Sequence, residues 1–290
     1  MRLEKQSPCK VNLLLNILGK RSDGFHALET VMHPVNLFDR LSFIRAGSAI
    51  ELTCNNPELP CDGSNLVYRA AESFRQKAGI KDGIRIELEK NIPMAAGLGG
   101  GSGNAATTLS GLNELFGSVL STTELHELAA SLGSDVPFFL QGEPALATGR
   151  GEKVEPLGFF RVLRGAAFLL IHPGFGISTA WAYQQLARFS SALNGRAGRA
   201  EKLVKLLKKG DLKAAASEFY NSLEAPALYK YPLLAIFQEF LREESAIAAL
   251  MSGSGSTTFA LMSNLNAARE LEKKVQEKFG PVWTAAVPIT

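Results

Sequence analysis

Apolar and polar residues follow two repeats in this 290-residue chain, one with a period of two and one with helical spacing. Over Ile84–Glu89 apolar side chains alternate with charged ones, which predicts a half-buried strand. Over Ser102–Phe116 apolar side chains recur every three or four positions, which predicts a helix. The glycine-rich segment Ile92–Ala106, IPMAAGLGGGSGNAA, therefore joins a predicted strand to a predicted helix.

Two further helices in the first half have start signals of their own. Ser121 and Glu124 form the pattern of a capping box, and Gly133 ends the helix that they begin. Ser64 or Asn65 can cap an earlier helix, which a glycine also ends. These signals make the first half a mixture of strands and helices.

The second half continues this mixture without a strict alternation of strand and helix. We predict strands over 166–172, 257–262 and 282–288, and helices over 200–208, 212–220, 233–243 and 267–279. Such an order is typical of an α+β fold, with helices packed on antiparallel sheets.

Composition excludes several classes of function. The net charge of +3 is too small to indicate binding to nucleic acid or to an anionic membrane surface. No apolar run reaches the ~18–20 residues that a membrane span needs, and the N-terminus lacks a secretory signal pattern. Cys9, Cys54 and Cys61 lack metal-ligand spacing, so we expect reduced thiols. We therefore expect a cytoplasmic protein that binds neither nucleic acid nor membrane.

The glycine-rich segment has the composition of a phosphate cradle. Its backbone N–H groups can turn towards an anion, and the helix that follows adds its positive dipole end. The segment fails the P-loop pattern because no lysine precedes Ser102, and it fits the dinucleotide fingerprint GxGxxG poorly. A flexible linker is the alternative, although linkers rarely join a strand directly to an amphipathic helix.

Three other segments contain candidate chemistry. Lys10 and Asn12 share one face of a predicted strand over 7–13, where a lone lysine is usually a solvated edge residue. Asp135, in the sequence GSDVPFF, is by itself most typical of a helix cap or a turn. Ser252–Thr257 is a second small-residue segment, typical of a tight hairpin turn.

Together these segments resemble the GHMP kinases, whose central motif is P-x-x-x-G-L-G-x-S-S. Pro93, Gly97–Gly99 and Ser102 reproduce the skeleton of that motif, with one more glycine before Ser102. The order of the other matching segments extends the resemblance over nearly the whole chain: PCKVNL at 8–13, GKRSDGFH at 19–26, GSDVP at 133–137, GRGE at 149–152 and MSGSGS at 251–256. Within the family, GKRSDGFH and the triple glycine are most similar to the branch that phosphorylates the cytidine diphosphate derivative of methylerythritol.

The resemblance implies a two-domain α+β architecture. The N-terminal domain, residues 1–160, would resemble the second domain of ribosomal protein S5 and would bind ATP through the glycine-rich segment. The C-terminal domain, residues 161–290, would be a ferredoxin-like α/β sandwich. A monomer or weak dimer is expected.

The resemblance also implies the roles of individual residues. Asp135 would accept the proton of the acceptor hydroxyl, and Lys10 beside it would stabilise charge on the attacking oxygen. The residues expected to bind ATP are Pro93, Met94, Ala95, Ala96, Gly97, Leu98, Gly99, Gly100, Gly101, Ser102 and Gly103. Mg²⁺ is expected with the nucleotide, held mainly by its phosphates.

On the acceptor side, Asn12, Phe25 and His26 are the expected binding residues, with Trp181 or Tyr183 as a second aromatic against the cytosine. The chain departs from the family where Cys9 replaces alanine, Phe25 replaces tyrosine and Gly103 replaces a second serine. Two alternatives stay open: another small-alcohol kinase of the homoserine or mevalonate type, and a non-catalytic nucleotide-binding module. The GKRSDGFH segment argues against the first, and Lys10 with Asp135 against the second.

Overall fold

The computed structural model describes residues 2–193 and 196–289, which form eleven strands and nine α-helices. The strands are β1 (Arg2–Lys20), β2 (His26–Arg45), β3 (Ile50–Cys54), β4 (Ile84–Glu89), β5 (Ala145–Gly149), β6 (Lys153–Pro156), β7 (Ala167–His172), β8 (Tyr220–Asn221), β9 (Ala248–Met251), β10 (Thr258–Met262) and β11 (Trp283–Pro288).

The α-helices are α1 (Leu66–Ala78), α2 (Gly100–Leu115), α3 (Thr122–Leu132), α4 (Thr179–Leu186), α5 (Arg199–Lys209), α6 (Leu212–Ser217), α7 (Glu224–Lys230), α8 (Pro232–Glu243) and α9 (Leu265–Phe279). Five of the nine α-helices in the described residues begin at a side-chain cap: α1, α3, α4, α6 and α9. The capping box of Ser121 and Glu124 is confirmed at the start of α3. Of the two candidate caps for α1, Asn65 is the one used, since its side chain accepts from the Val67 backbone N–H.

The residues form two compact units, each assembled from several segments of the chain. The first unit comprises Met1–Cys9, Leu37–Pro93 and Gly99–Gly142, and the second comprises Lys10–Asn36, Met94–Leu98 and Glu143–Thr290. The long strands β1 and β2 contribute residues to both. The boundary predicted between residues 160 and 161 divides the chain in sequence order and stays a prediction.

In the first unit, helices α1, α2 and α3 pack on strands β3, β4 and the second half of β2. Strand β4 pairs antiparallel with Arg40–Arg45 of β2 and parallel with β3. Helix α2 comes close to the sheet at Gly111, where an added Cβ would lie 2.7 Å from the Phe43 ring. The core is built from apolar side chains of β4 and the three helices, including Phe74, Ile86 and Leu109.

In the second unit, the strand order β11-β7-β10-β9 makes an antiparallel sheet. All six residues of β7 are buried, as expected for a central strand. Helices α7, α8 and α9 supply core partners such as Ala227, Phe237 and Leu271. In the same unit, β5 pairs with Leu28–Met32 of β2 and with β6, and β8 pairs with β1.

The α+β prediction and most predicted elements are confirmed within one or two residues. Two predictions had wrong bounds. The strand predicted over 7–13 is part of the longer β1, Arg2–Lys20. The helix predicted over 212–220 ends at Ser217, and Tyr220–Asn221 forms strand β8 beside β1. The helical pattern continues in the sequence, but pairing with β1 gives the backbone of Tyr220 an alternative partner.

Candidate active site

The second half of the glycine-rich segment forms the start of α2 in the first unit. Gly99 occupies the N-cap with φ 70°, a left-handed conformation that favours glycine, and it has no side chain to cap the helix. The N–H groups of the first turn therefore lack a side-chain partner from the cap. Their positive ends offer an anion a site at Gly100–Ser102.

Gly103 packs tightly inside the same unit. An added Cβ there would lie 2.5 Å from the Pro8 carbonyl oxygen and 3.1 Å from Ser7 Oγ. The absence of a side chain at this position lets β1 approach the first turn of α2. A serine would require a local shift of backbone.

The first half of the segment, Met94–Leu98, belongs to the second unit. The Ala96 carbonyl accepts from the Thr257 N–H at 3.0 Å, and the Leu98 carbonyl accepts from the Lys10 N–H at 2.9 Å. Gly97 has φ 78°, and an added Cβ would lie 2.0 Å from the Ser252 carbonyl oxygen. This approach fixes the path of the backbone around Gly97.

The Lys10 ammonium is buried beside Gly97. The residue is 3% exposed, and Nζ lies 2.6 Å from Asn12 Oδ1 and 2.9 Å from the Gly97 carbonyl oxygen. Asn12 in turn donates to Thr30 Oγ1 at 2.9 Å, which orients the amide. The interpretation of Lys10 as a solvated edge residue is therefore wrong, because both faces of β1 are covered here.

The turn after β9, residues Ser252–Gly255, lies against Gly97 and the Lys10 ammonium. Ser252 Oγ donates to the Gly97 carbonyl at 3.0 Å, and an added Cβ on Gly253 would lie 3.2 Å from Lys10 Nζ. Asn221 Nδ2 donates to the carbonyls of Met251 and Gly253, each at 2.8 Å. The two small-residue segments thus meet around Lys10.

Asp135 lies in the first unit, in the turn between α3 and a 3₁₀ turn at Pro137–Leu140. Its side chain is half-buried. The Val136 N–H donates to the Gly133 carbonyl at 3.2 Å, which closes the turn that presents the carboxylate. The predicted pairing of Asp135 with Lys10 stays a prediction.

Of the aromatic residues expected at the acceptor, His26 and Tyr183 come together. Their ring centroids are 5.1 Å apart, and burial followed by the charge of Lys20 lowers the pKa of His26. Trp181 instead faces Tyr231 and Lys230, with the Lys230 ammonium 4.4 Å from its ring. Between the two candidates, Tyr183 is the one placed beside His26.

Phe25 is 53% exposed, and its ring lies under the Arg150 guanidinium at 4.7 Å. Glu152 accepts from the Arg150 N–H at 2.6 Å, within the GRGE segment. Burial opposes ionisation of Glu152, but backbone hydrogen bonds and the charges of Arg150 and Arg21 outweigh it and lower its pKa. Phe25 therefore has a cation over its ring, and about half of its surface is exposed.

A buried ion pair under the glycine-rich segment was missed by the sequence analysis. Lys90 donates to Asp39, whose Oδ1 accepts the N–H groups of Asn91 at 2.7 Å and Ile92 at 2.9 Å. Asn104 of α2 donates to the same carboxylate at 2.9 Å. Asp39 thus joins the entry to the segment with the first turns of α2. The sequence signal is weak: one aspartate in a long apolar strand.

No set of three or more His, Cys, Asp or Glu side chains in the described residues could hold a metal ion. Within these same ranges no helix is both long and apolar enough to cross a membrane.

Family models match both halves of the chain. The model described as GHMP kinases N terminal domain matches residues 65–143, and the one described as GHMP kinases C terminal matches residues 203–281. The 4-diphosphocytidyl-2-C-methyl-D-erythritol kinase of Pelotomaculum thermopropionicum is 44% identical over 269 residues, which cover 90% of each chain. Its counterpart in Synechococcus sp. (strain JA-3-3Ab) is 41% identical, with 94% of this chain and 89% of that protein covered.

Solved structures of other kinases share the fold of this chain. A crystal structure of a 4-(cytidine 5'-diphospho)-2C-methyl-D-erythritol kinase is 34% identical, with a TM-score of 0.82 over 99% of this chain and 100% of that one. The homoserine kinase from Cytophaga hutchinsonii is 21% identical with a TM-score of 0.78, over 100% of this chain and 94% of that one, and shares the fold alone.

Proposed function

Since the chain belongs to the GHMP kinases, and within them to the family of 4-diphosphocytidyl-2-C-methyl-D-erythritol kinases, we propose that it phosphorylates this family's substrate. The reaction transfers the γ-phosphoryl group of ATP to the 2-hydroxyl of 4-diphosphocytidyl-2-C-methyl-D-erythritol and releases ADP. It supplies a precursor in the non-mevalonate route to isoprenoids. The enzyme would act in the cytoplasm as a monomer or weak dimer.

The observation that carries this proposal is the buried Lys10 ammonium, held 2.9 Å from the Gly97 carbonyl oxygen. A cation kept out of water interacts more strongly with developing negative charge than one at the surface. Phosphoryl transfer depends on such positioning and electrostatic stabilisation rather than on covalent help from the protein.

The ATP phosphates would bind at Pro93–Gly103. The first turn of α2 presents backbone N–H groups from a glycine N-cap, and a Cβ added at Gly101 would meet nothing closer than 3.7 Å. This open backbone fits a nucleotide phosphate. Mg²⁺ would be held mainly by the nucleotide phosphates, where it would offset their charge. Of the side chains in this segment, Ser102 would lie near the Mg²⁺ or the β-phosphate.

Asp135 would accept the proton of the attacking 2-hydroxyl. A half-buried carboxylate in a short turn is restrained enough to hold one orientation and open enough to reach a substrate. Lys10 would stabilise the oxygen that loses this proton.

The cytidine end would bind between aromatic side chains. His26 and Tyr183 are already in ring contact at 5.1 Å, and Phe25 offers an exposed face backed by Arg150. A neutral His26 can donate and accept at once, which suits the edge of cytosine. Asn12 would contact the acceptor next to Lys10.

Two alternatives would give different results in one assay. ADP release is measured with purified protein and, in turn, the cytidylyl alcohol, homoserine and mevalonate. We expect turnover with the cytidylyl alcohol alone. Turnover on homoserine or mevalonate instead would replace the proposal, and no turnover on any of them would favour the non-catalytic module.

Replacing Asp135 tests the proposed base. Asp135→Asn keeps the size and removes the proton acceptor, so we expect kcat to fall by about 10²- to 10⁴-fold. Asp82→Asn, the same change at an exposed turn of the same unit, is the matched control and should keep the full rate. An Asp135→Asn enzyme that keeps the wild-type kcat would exclude the base role.

A further inference from the structure

A partly buried carboxylate on α7 contacts the strand that leads into the Ser252–Gly255 turn. We propose that Glu224 is a positioning residue for the kinase reaction: it holds the end of β9 so that this turn keeps Gly97 and Lys10 in place. The inference rests on the proposed function, but part of its test does not depend on activity.

The first step is the contact between Glu224 and β9. Glu224 Oε1 accepts the Met251 backbone N–H at 2.8 Å and Gln238 Nε2 at 2.5 Å. Arg242 donates to Gln238 Oε1 and to the Ala249 carbonyl, each at 3.0 Å. Three side chains from α7 and α8 therefore fix the backbone of β9 at two points.

The second step runs from β9 to the site. Met251 is the last residue of β9, and the next residue, Ser252, donates through Oγ to the Gly97 carbonyl at 3.0 Å. That carbonyl also accepts from Lys10 Nζ at 2.9 Å. The residue that Glu224 holds, Met251, is therefore directly followed in the chain by the residue that donates to the Gly97 carbonyl. A displacement of Met251 would reach Gly97 directly.

The chemistry of position 224 supports a role beyond packing. Burial raises the pKa of Glu224 to about 7, although the hydrogen bonds from Met251 and Gln238 and the charge of Arg242 oppose this rise. Keeping this carboxylate ionised at neutral pH therefore lowers the free energy of unfolding. An apolar residue of similar size would avoid that cost but could not accept the Met251 N–H. Arg242 is the one charged group acting on Glu224 among the described residues.

The experiment compares two replacements of similar size. Glu224→Leu removes the acceptor, and Glu224→Gln keeps an oxygen that can accept the Met251 N–H. For Glu224→Leu we expect kcat to fall by about 10- to 100-fold, because small displacements of catalytic groups have effects of this size. KM for both substrates should change less than about threefold, and Glu224→Gln should recover most of kcat. Amide hydrogen exchange over residues 252–257 should be faster in Glu224→Leu than in wild type or Glu224→Gln.

The matched control is Glu29→Leu, at a second carboxylate of the same unit that accepts backbone N–H groups. Glu29 accepts the N–H groups of Gly198 and Arg199 at the start of α5, at 3.1 and 2.9 Å. Its loss should lower stability and leave kcat and exchange at 252–257 unchanged. If Glu224→Leu folds with wild-type kcat and wild-type exchange in the turn, the proposal is wrong.

Two further outcomes remain decisive. Should Glu224→Leu fail to fold, Glu224→Asp replaces it, since it keeps the charge and withdraws the acceptor by one methylene. A slower kcat with faster exchange then supports the proposal, and wild-type behaviour refutes it. If the wild-type protein does not phosphorylate the cytidylyl alcohol, the proposed function fails, and the exchange data alone decide whether Glu224 holds the turn.

Discussion

At the scale of single residues, several polar side chains are buried, and their surroundings differ. Lys10 and His33 are both almost inaccessible, at 3% and 2% exposure. Lys10 has three donor hydrogens, with oxygens of Asn12 and Gly97 in reach, so its charge is accommodated. His33 has one partner for two ring nitrogens. Its Nδ1–H donates to the Pro34 carbonyl at 2.7 Å, and its buried Nε2 has no hydrogen-bond partner among the described residues.

Burial of the His33 ring should make the free energy of unfolding depend on pH in the acid range. Burial lowers its pKa to about 4 against an ordinary value of 6.5, so between these pH values the unfolded chain binds the extra proton. The free energy of unfolding should therefore fall as pH drops from 6.5 towards 4, by up to about 3 kcal/mol from this group. Chemical denaturation at a series of pH values measures the effect.

His33→Asn removes the titrating group and keeps an amide N–H near the Pro34 carbonyl. We expect this variant to be less stable at neutral pH but to lose less stability between pH 6.5 and 4. His126→Asn, at an exposed position of α3, is the control and should keep the wild-type slope. An unchanged slope in His33→Asn would contradict the assignment.

At the scale of elements, the junction of β4 and α2 is held by the ion pair of Lys90 and Asp39. The carboxylate accepts from the backbone at Asn91 and Ile92 and from Asn104 on α2. Both side chains of the pair are at most 5% exposed. The glycine-rich segment itself has few side chains to fix it, so the pair supplies the restraint at its entry.

Breaking this pair should destabilise the first unit. Asp39→Asn leaves the Lys90 ammonium buried without its counter-charge, and we expect a loss of about 3–5 kcal/mol in the free energy of unfolding. The double variant Asp39→Asn/Lys90→Met removes both charges and should recover part of this loss. Urea denaturation of the single and double variants measures the coupling.

The neighbouring pair Glu51–Arg85 provides the comparison, since its side chains are 53% and 48% exposed. Glu51→Gln should change stability by no more than about 1 kcal/mol. Equal losses of stability in Asp39→Asn and Glu51→Gln would show that burial does not strengthen the pair of Asp39 and Lys90.

At the scale of the whole molecule, each compact unit is built from distant parts of the chain. The core of the second unit contains Leu15, Ile17 and Leu28 from its Lys10–Asn36 segment together with residues beyond 166. Strand β8 also pairs with Leu14–Leu15 of β1. A piece of the chain cut in sequence order therefore lacks part of its own core.

The fragment 161–290 consequently should not fold alone. It lacks β1, β2, β5 and β6, so it would expose the apolar side chains that those strands cover within the unit. Circular dichroism should show no cooperative unfolding transition for this fragment, in contrast to the full chain. Adding the fragment 1–160 should restore the transition. A sharp transition for 161–290 alone would support the boundary at residue 160 as a limit of independent folding.

The sequence by itself determined the local structure and the candidate chemistry. The caps of α1 and α3, the strand Ile84–Glu89 and the glycine-rich segment follow from local preferences, because capping residues, alternation and glycine act within a few positions. The same residues, compared with known motifs, identified the family.

Only the tertiary structure decided the environment of each polar group. Alternation placed Lys10 on one face of β1, but its burial depends on Gly97, 87 positions away in the chain. Asp39 gave only a weak local signal and Glu224 gave none, because their partners are backbone and side-chain groups brought near by folding. Tyr183, rather than Trp181, lies beside His26 since the direction of a side chain from α4 depends on how that helix packs. The glycine-rich segment could be found from sequence, whereas the side chains that hold it in place required the fold.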